Sequence, residues 1–170
     1  MAQNLCARLR EKKLISIVRG APTEKITKIA DAIYRGGFRF MEITFDQSGK
    51  TPHAVTAEQI RIVREAFDGR LHVGAGTVMT EAQLKLAAEA GAEYIISPNV
   101  DTAIIRAPIN HIPLLAVSGV TPENLGDYLK AGMAGAGIGS ILVRGEDVAA
   151  DNFEAIAQRA ARYVAVVESI

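Results

Sequence analysis

LHVGAGTVMTEAQLKLAAEAGAEYIISP, residues 71–98, holds a whole structural unit in one line. LHVGAGTV (71–78) is a short apolar run, the length of a buried strand. TEAQLKLAAEAGA has helical period, a cap at its start and Gly91 just past its end. EYIISP (93–98) is a second apolar run. Strand, helix and strand in this order make a βα repeat, and strands that are apolar throughout need cover on both faces.

The same rhythm extends in both directions. LISIV (14–18) is followed by TEKITKIADAIYRGG, which Thr23 can cap and in which Glu24 occupies the first turn. FRFMEITF (38–45) is followed by the amphipathic HAVTAEQIRIVREAF. HIPLLAVSG (111–119) and AGAGIGS (134–140) are two more strands, separated by TPENLGDYLKAG with proline at a helix start. A long closing helix is expected from about Val148 to Ser169. Six strands, nearly all followed by a helix, give an α/β protein with a parallel sheet. An open doubly wound sheet is one solution. The small or polar residues at the strand ends (Glu42, Thr44, Thr77, Ser97, Ser118, Ser140) favour a TIM-barrel-type (β/α) fold of about six βα units, with function on its βα loops. Ordinary turn chemistry would leave similar residues there.

Composition narrows the classes. With 170 residues and 49% hydrophobic content, residues 1–170 are expected to form one domain. Nineteen Lys plus Arg balance nineteen Asp plus Glu, so no basic field exists to hold nucleic acid or an anionic membrane. The one cysteine, Cys6 on an N-terminal helix, fits a reducing compartment. The start of the chain has no apolar signal core, and AGMAGAGIGSILV is too short and glycine-rich to span a bilayer. The expectation is a soluble cytoplasmic domain.

Chemistry gathers at the strand ends. Glu42, in FMEITFD, is a carboxylate among apolar neighbours; burial would raise its pKa into a range suited to acid–base work near neutrality. Pairing with Arg19, at the end of the adjacent first strand, is the alternative. GAGTV (74–78) brings glycines and the Thr77 hydroxyl to a loop that can hold a carboxylate or phosphate through N–H groups. AVSGVTPEN (116–124) and GAGIGS (135–140) end the last two strands, where barrels place a phosphate cup; Gly119, Gly139 and Ser140 would supply amides and a hydroxyl. His53, His72 and His111 lie apart without metal-ligand spacing, and the last two sit at strand entrances.

Taken as a set, MEITF, VGAGTV, AGAEYIISPNVD, INHIPLLAVSGVTPENL and AGAGIGSILV closely resemble the 2-keto-3-deoxy-6-phosphogluconate (KDPG) and 4-hydroxy-2-oxoglutarate (KHG) aldolase family, in order and over nearly the whole chain. The resemblance implies a (β/α)8 barrel, usually trimeric. It implies a class I lyase needing no metal or cofactor, which cleaves a 2-keto-4-hydroxy acid to pyruvate and an aldehyde through a lysine Schiff base. Carried onto this chain, the resemblance makes Glu42 the general acid/base. Gly76 and Thr77 hold the substrate carboxylate, Arg19 and Pro98 line the pyruvate end, and Ser118, Gly119, Gly139 and Ser140 form the phosphate cup. Ser118 stands where many members have glycine, and Asp46 where some carry arginine, a loss for which Arg19 can compensate.

One departure is larger. VDTAIIRA (100–107) abuts PINHIP (108–113), whereas the family places two further βα units there, one of them carrying the Schiff-base lysine on a strand read as VKLFPA in many members. Their loss accounts for a chain shorter than a barrel of roughly 200–250 residues. The lysines present are Lys12, Lys13, Lys25, Lys28, Lys50, Lys85 and Lys130, none inside an apolar strand. Only Lys50, in the loop DQSGKTP, is on the expected functional face, and a solvated loop amine stays mostly protonated at neutral pH. The join of about a dozen residues after the fourth strand has room for one short crossover. A sheet left open there would expose strand edges, so a homo-oligomer is expected, either the family trimer or a swapped assembly. Two readings stand: an aldolase-family enzyme of impaired activity, or a non-catalytic deletion variant or remnant that binds a phosphorylated sugar acid or serves only as a folding variant.

Overall fold

Parallel pairing begins with the apolar runs of the N-terminal half. In the computed structural model, which describes residues 2–96, 115–130 and 133–170, β1 (Leu14–Val18) lies beside β2 (Phe40–Thr44), with Ser16 opposite Met41 and Val18 opposite Ile43. β2 lies beside β3 (His72–Gly76), in register from Phe40–His72 to Thr44–Gly76. On its other side β1 pairs with β5 (Gly135–Ile138), which in turn pairs with β4 (Leu115–Val117). The sheet order is β3-β2-β1-β5-β4, all parallel.

Of the expected fourth strand over 93–98, the described residues 93–96 form a parallel bridge between Ala75 and Ile95. Around it the Ala75 amide donates to the Tyr94 carbonyl (3.0 Å) and the Ile96 amide to the Ala75 carbonyl (2.8 Å). Ser97 and Pro98 lie outside the described residues, as do His111 and the join after the fourth strand. Counting the bridge, six consecutive positions run Ile95, β3, β2, β1, β5, β4. This is the strand order of a TIM-barrel-type α/β fold, with the last strands returning to pair with the first. Among the described residues no ladder joins the two outer members.

Among the described residues seven helices accompany the sheet: α1 (Ala2–Lys12), α2 (Ile26–Arg35), α3 (His53–Phe67), α4 (Glu81–Glu89), α5 (Pro122–Lys130), α6 (Gly145–Ala149) and α7 (Phe153–Glu168). Strand alternation sorts the side chains. Met41, Ile43, Val73 and Ala75 join the core beneath the helices, packing with Ile29, Ile33, Ile60, Val63, Ile156 and Ala160. Each large aliphatic among these contributes about 1.5–3 kcal/mol by leaving water. Phe40, Glu42, Thr44, Gly74 and Gly76 alternate with them and form the inner face. None of the described helices is long and apolar enough to cross a membrane.

Several local expectations are corrected. The closing helix is two helices, broken where Asp151 takes φ +54° and the Asn152 side chain accepts from the Ala155 amide, capping α7. Thr23 does not cap α2: Thr23–Lys25 forms a 3₁₀ turn, and the Thr23 hydroxyl accepts from Gln59 instead (3.2 Å). The penultimate strand ends at Val117, because Ser118 and Gly119 both turn left-handed, at φ +71° and +69°. Strands two and three are likewise shorter than their apolar runs, since Phe45 and Thr77 lie past the last paired residues.

Where α2 ends, its C-cap Gly36 meets α7 so closely that a methyl group would overlap Ala160 Cβ and press on the Ala157 carbonyl, 2.6 Å away. Gly36→Ala should therefore destabilise the protein by about 1–3 kcal/mol, read as a lowered urea midpoint with unchanged slope.

Candidate active site

Glu42 sits on β2 opposite Gly74, two pairs below Thr44–Gly76 and on the same face. Its carboxylate lies where a side chain on Gly76 would be: a Cβ there would overlap the Glu42 carboxyl oxygen. Glycine at 76 thus makes the space the acid occupies. The residue is 4% exposed, and burial pushes its pKa up to about 7, against a downward pull from the Arg19 guanidinium. Among the described residues the two form no ion pair; Arg19 Nε donates to Thr44 Oγ1 (3.3 Å), whose hydroxyl donates to the Val18 carbonyl (3.4 Å). Of the two alternatives for Glu42, a direct pair with Arg19 is the one not formed. A carboxyl poised near neutrality can accept or return a proton without leaving the inner face.

Next along the mouth, Thr77 adopts φ +55°, a left-handed conformation that costs a β-branched residue about 1–3 kcal/mol. A network of side-chain amides opposes that cost. Gln47 Nε2 donates to the Thr77 carbonyl (2.8 Å), and Gln83 Oε1 accepts from the Met79 amide (2.7 Å). Gln83 Nε2 meets Gln47 Oε1 (3.3 Å) and His53 Nε2 (3.0 Å). Sequence reading missed Gln47 and Gln83. The signal for Gln83 was present, since Thr80 and Gln83 form a capping box at the start of α4.

A cleft of about 330 Å3 opens at the C-terminal ends of β1, β4 and β5. Arg19, Ser118, Gly119, Gly139 and Ser140 line it together, over a floor that includes Ile17 and Val117. The loop after β4 is held by Asn124, whose Oδ1 accepts from the Thr121 amide (2.8 Å) and whose Nδ2 donates to the Gly119 carbonyl (3.0 Å). Arg19 links this cleft to the Glu42 side through Thr44. Pro98 lies outside the described residues. Asp46 closes its own loop, accepting from the Ser48 amide and hydroxyl and the Thr51 amide, which lower its pKa to about 2.

All seven lysines are described, and none lines the cleft. Lys25 donates to the Val148 carbonyl (2.7 Å) and pairs with Asp151 (3.1 Å). Lys12 pairs with Glu11 and Lys85 with Glu81, while Lys28 rests over the Phe153 ring. Lys50 and Lys130 are exposed, and Lys13 precedes β1. Histidines 53 and 72 are engaged structurally, the latter with Glu93 (3.0 Å) and Arg8 (3.2 Å). Among the described residues no three His, Cys, Asp or Glu side chains converge as metal ligands would.

Several known proteins are similar to this chain in sequence and in structure. The family model "Aldolase: KDPG and KHG aldolase" matches residues 5–111. A 2-dehydro-3-deoxy-6-phosphogalactonate aldolase of Escherichia coli K12 is 27% identical over 199 residues, covering 89% of this chain and 92% of the relative. That alignment is longer than this chain, so it includes positions of the relative with no counterpart here. The KHG/KDPG aldolase of the same organism is 36% identical over 108 residues, 62% of this chain and 47% of the relative. Over the shorter matches, this chain spans less than half the length of its curated relatives. Among solved structures, a native KDPGal structure superposes with TM-score 0.76 at 25% identity, over 92% of this chain and 94% of the other. A KDPG aldolase from Legionella pneumophila shares the fold, with TM-score 0.75 at 19% identity over 91% and 95% of the two chains.

The raised pKa of Glu42 carries a sign. Between the ordinary value of 4.5 and about 7 the folded protein holds a proton that the unfolded chain has released, so stability falls as pH rises through that window and levels off above it. The full effect is about 3 kcal/mol. Glu42→Gln should abolish this fall, matching wild type near pH 4.5 and exceeding its stability at pH 8 in paired urea titrations.

Proposed function

The chain belongs to the KDPG and KHG aldolase family, and we propose that it binds keto acids of the pyruvate and phosphorylated sugar-acid class at its C-terminal mouth while being impaired in carbon–carbon cleavage. The observation that carries this reading is the disposition of its lysines: each is on a helix or a connecting segment, and none lines the cleft. Iminium chemistry needs an uncharged amine at the keto carbon, held where desolvation can release its proton.

The rest of the reading follows the groups present. Arg19 and the Gly76–Thr77 turn would receive the carboxylate, as a charge-assisted pair and through backbone donors. Ser118, Gly119, Gly139 and Ser140 would receive the phosphate. Glu42, with its pKa near 7, would exchange a proton with the carbon or hydroxyl beside the keto group. Without an iminium to take up the electron pair of the breaking bond, that proton transfer has no efficient partner. Pro98 is assigned to the pyruvate end only by family resemblance.

We further read the protein as one truncated barrel domain that assembles as a homo-oligomer. The two outer positions of the sheet carry Ile95 and Val117, 40% and 58% exposed, beside strand edges with no partner strand among the described residues. Light scattering coupled to size exclusion should give a mass above one chain, whereas a monomer with a cooperative melt would refute the assembly.

The decisive experiment is intact-mass analysis after incubation with pyruvate and borohydride, with a full-length family aldolase as control. The expected result is a labelled control and no adduct here, together with saturable pyruvate binding that Arg19→Ala weakens by about tenfold or more. A stoichiometric adduct would overturn the impairment, and peptide mapping would then identify the amine, beginning with Lys50.

A further inference from the structure

At the opposite, N-terminal end of the sheet a second cavity of about 400 Å3 is lined by Arg8, Lys12, Arg39, Arg70, His72 and Phe40, among others. Lys12 is neutralised by Glu11 on the rim (2.8 Å). Arg8, Arg39 and Arg70 have no carboxylate partner among the described residues; their bonds go to neutral acceptors. Arg39 donates to the Tyr34 and Phe38 carbonyls (3.0 and 2.7 Å), and Arg70 to those of Phe67 and Ala66 (3.2 and 3.0 Å). Arg8 Nη1 donates to His72 Nε2 (3.2 Å). Since guanidinium can only donate, His72 accepts at Nε2 and its Nδ1–H is free to donate to Glu93 Oε2 (3.0 Å). Glu93 is also held by Arg64 (2.5 Å), so the nearest inner carboxylate is already committed.

These contacts fix three guanidinium groups without neutralising them. Arg39 stacks on Tyr34, 4.3 Å from the ring centre, and Arg70 lies between the rings of Tyr34 and Phe67. The cavity also receives the C-terminal ends of α1, α2 and α3, each worth roughly half a negative charge. Three such ends offset only about half of the three guanidinium charges. The chain as a whole is neutral, so this surplus is local.

We propose that this cavity binds a phosphate-class oxyanion, free or carried by a small molecule, at a site separate from the keto-acid cleft. Rigid, unpaired guanidinium forks with spare N–H groups match the oxygens of such an anion. The site lies at the strand entrances, whereas the keto-acid cleft lies at the strand exits, and it depends on none of the same residues.

The test is amide NMR of the full chain titrated with inorganic phosphate and, separately, phenyl phosphate, at constant ionic strength set with chloride. Saturable shifts at Arg39, Gly69 and His72 are expected. Gly119, Gly139 and Ser140 report the other mouth independently, so either site can fail without the other. Arg8→Gln should weaken binding at the N-terminal mouth by about tenfold and leave the shifts at the other mouth unchanged, while Arg8→Lys restores part of the loss. Tighter binding of phenyl phosphate assigns the site to an organic phosphate, and equal binding to the free oxyanion. Absent shifts at Arg39, Gly69 and His72, shifts reproduced by chloride, or an Arg8→Gln protein that binds as wild type and keeps its melting temperature would overturn the proposal.

Discussion

The pairing of β2 with β3 in one register governs the chemistry of this protein. It sets Glu42 opposite Gly74 and two residues below the Thr44–Gly76 pair, so the acid enters a space that glycine leaves open. Strand side chains alternate faces. A slip of one residue would drive the carboxylate into the helix-facing core and turn Met41 and Ile43 inward. Gly74 plays a matching part on the same face, where a Cβ would press on the ring of Tyr94, 2.5 Å from its Cζ. The inner face is thus shaped by what β3 lacks.

The two ends of the sheet have separate electrostatic characters. At the strand exits, backbone groups, hydroxyls and one guanidinium surround the cleft, and a strained Thr77 is held by a network of amides. At the strand entrances, arginines converge and grip helix C-termini. No lysine lines the strand-exit cleft, and Lys12, paired with Glu11, is the one lysine lining the strand-entrance cavity; the others pair with acids, cover an aromatic ring, bind helix-end carbonyls or face solvent.

Where the chain departed from its sequence pattern, a local bond outweighed periodicity. Helical spacing runs on through Val148–Ser169, but the Asn152 side chain captures the Ala155 amide and Asp151 turns left-handed, so two helices form. Thr23 looks like a cap, yet its hydroxyl is taken by Gln59 from a different helix. Gln47 carries no motif at all. Its role exists only because the loops after β2 and β3 come together, which brings its amide to the Thr77 carbonyl.

Sequence alone determined the alternation of strands and helices, the parallel sheet, the glycines of the mouth and the positions of the seven lysines, since these depend on side-chain period and residue identity. It also placed Glu42, Arg19, Thr77 and the residues of the cup at strand ends. Tertiary structure decided what those residues became. Burial from several elements at once sets the protonation of Glu42, and Arg19 takes Thr44 rather than Glu42 as its hydrogen-bond partner. Only folding brings β1, β4 and β5 together into one cleft, and Arg8, Arg39 and Arg70 into one cavity. Both depend on distances through space between residues far apart in the chain, which local pattern does not encode.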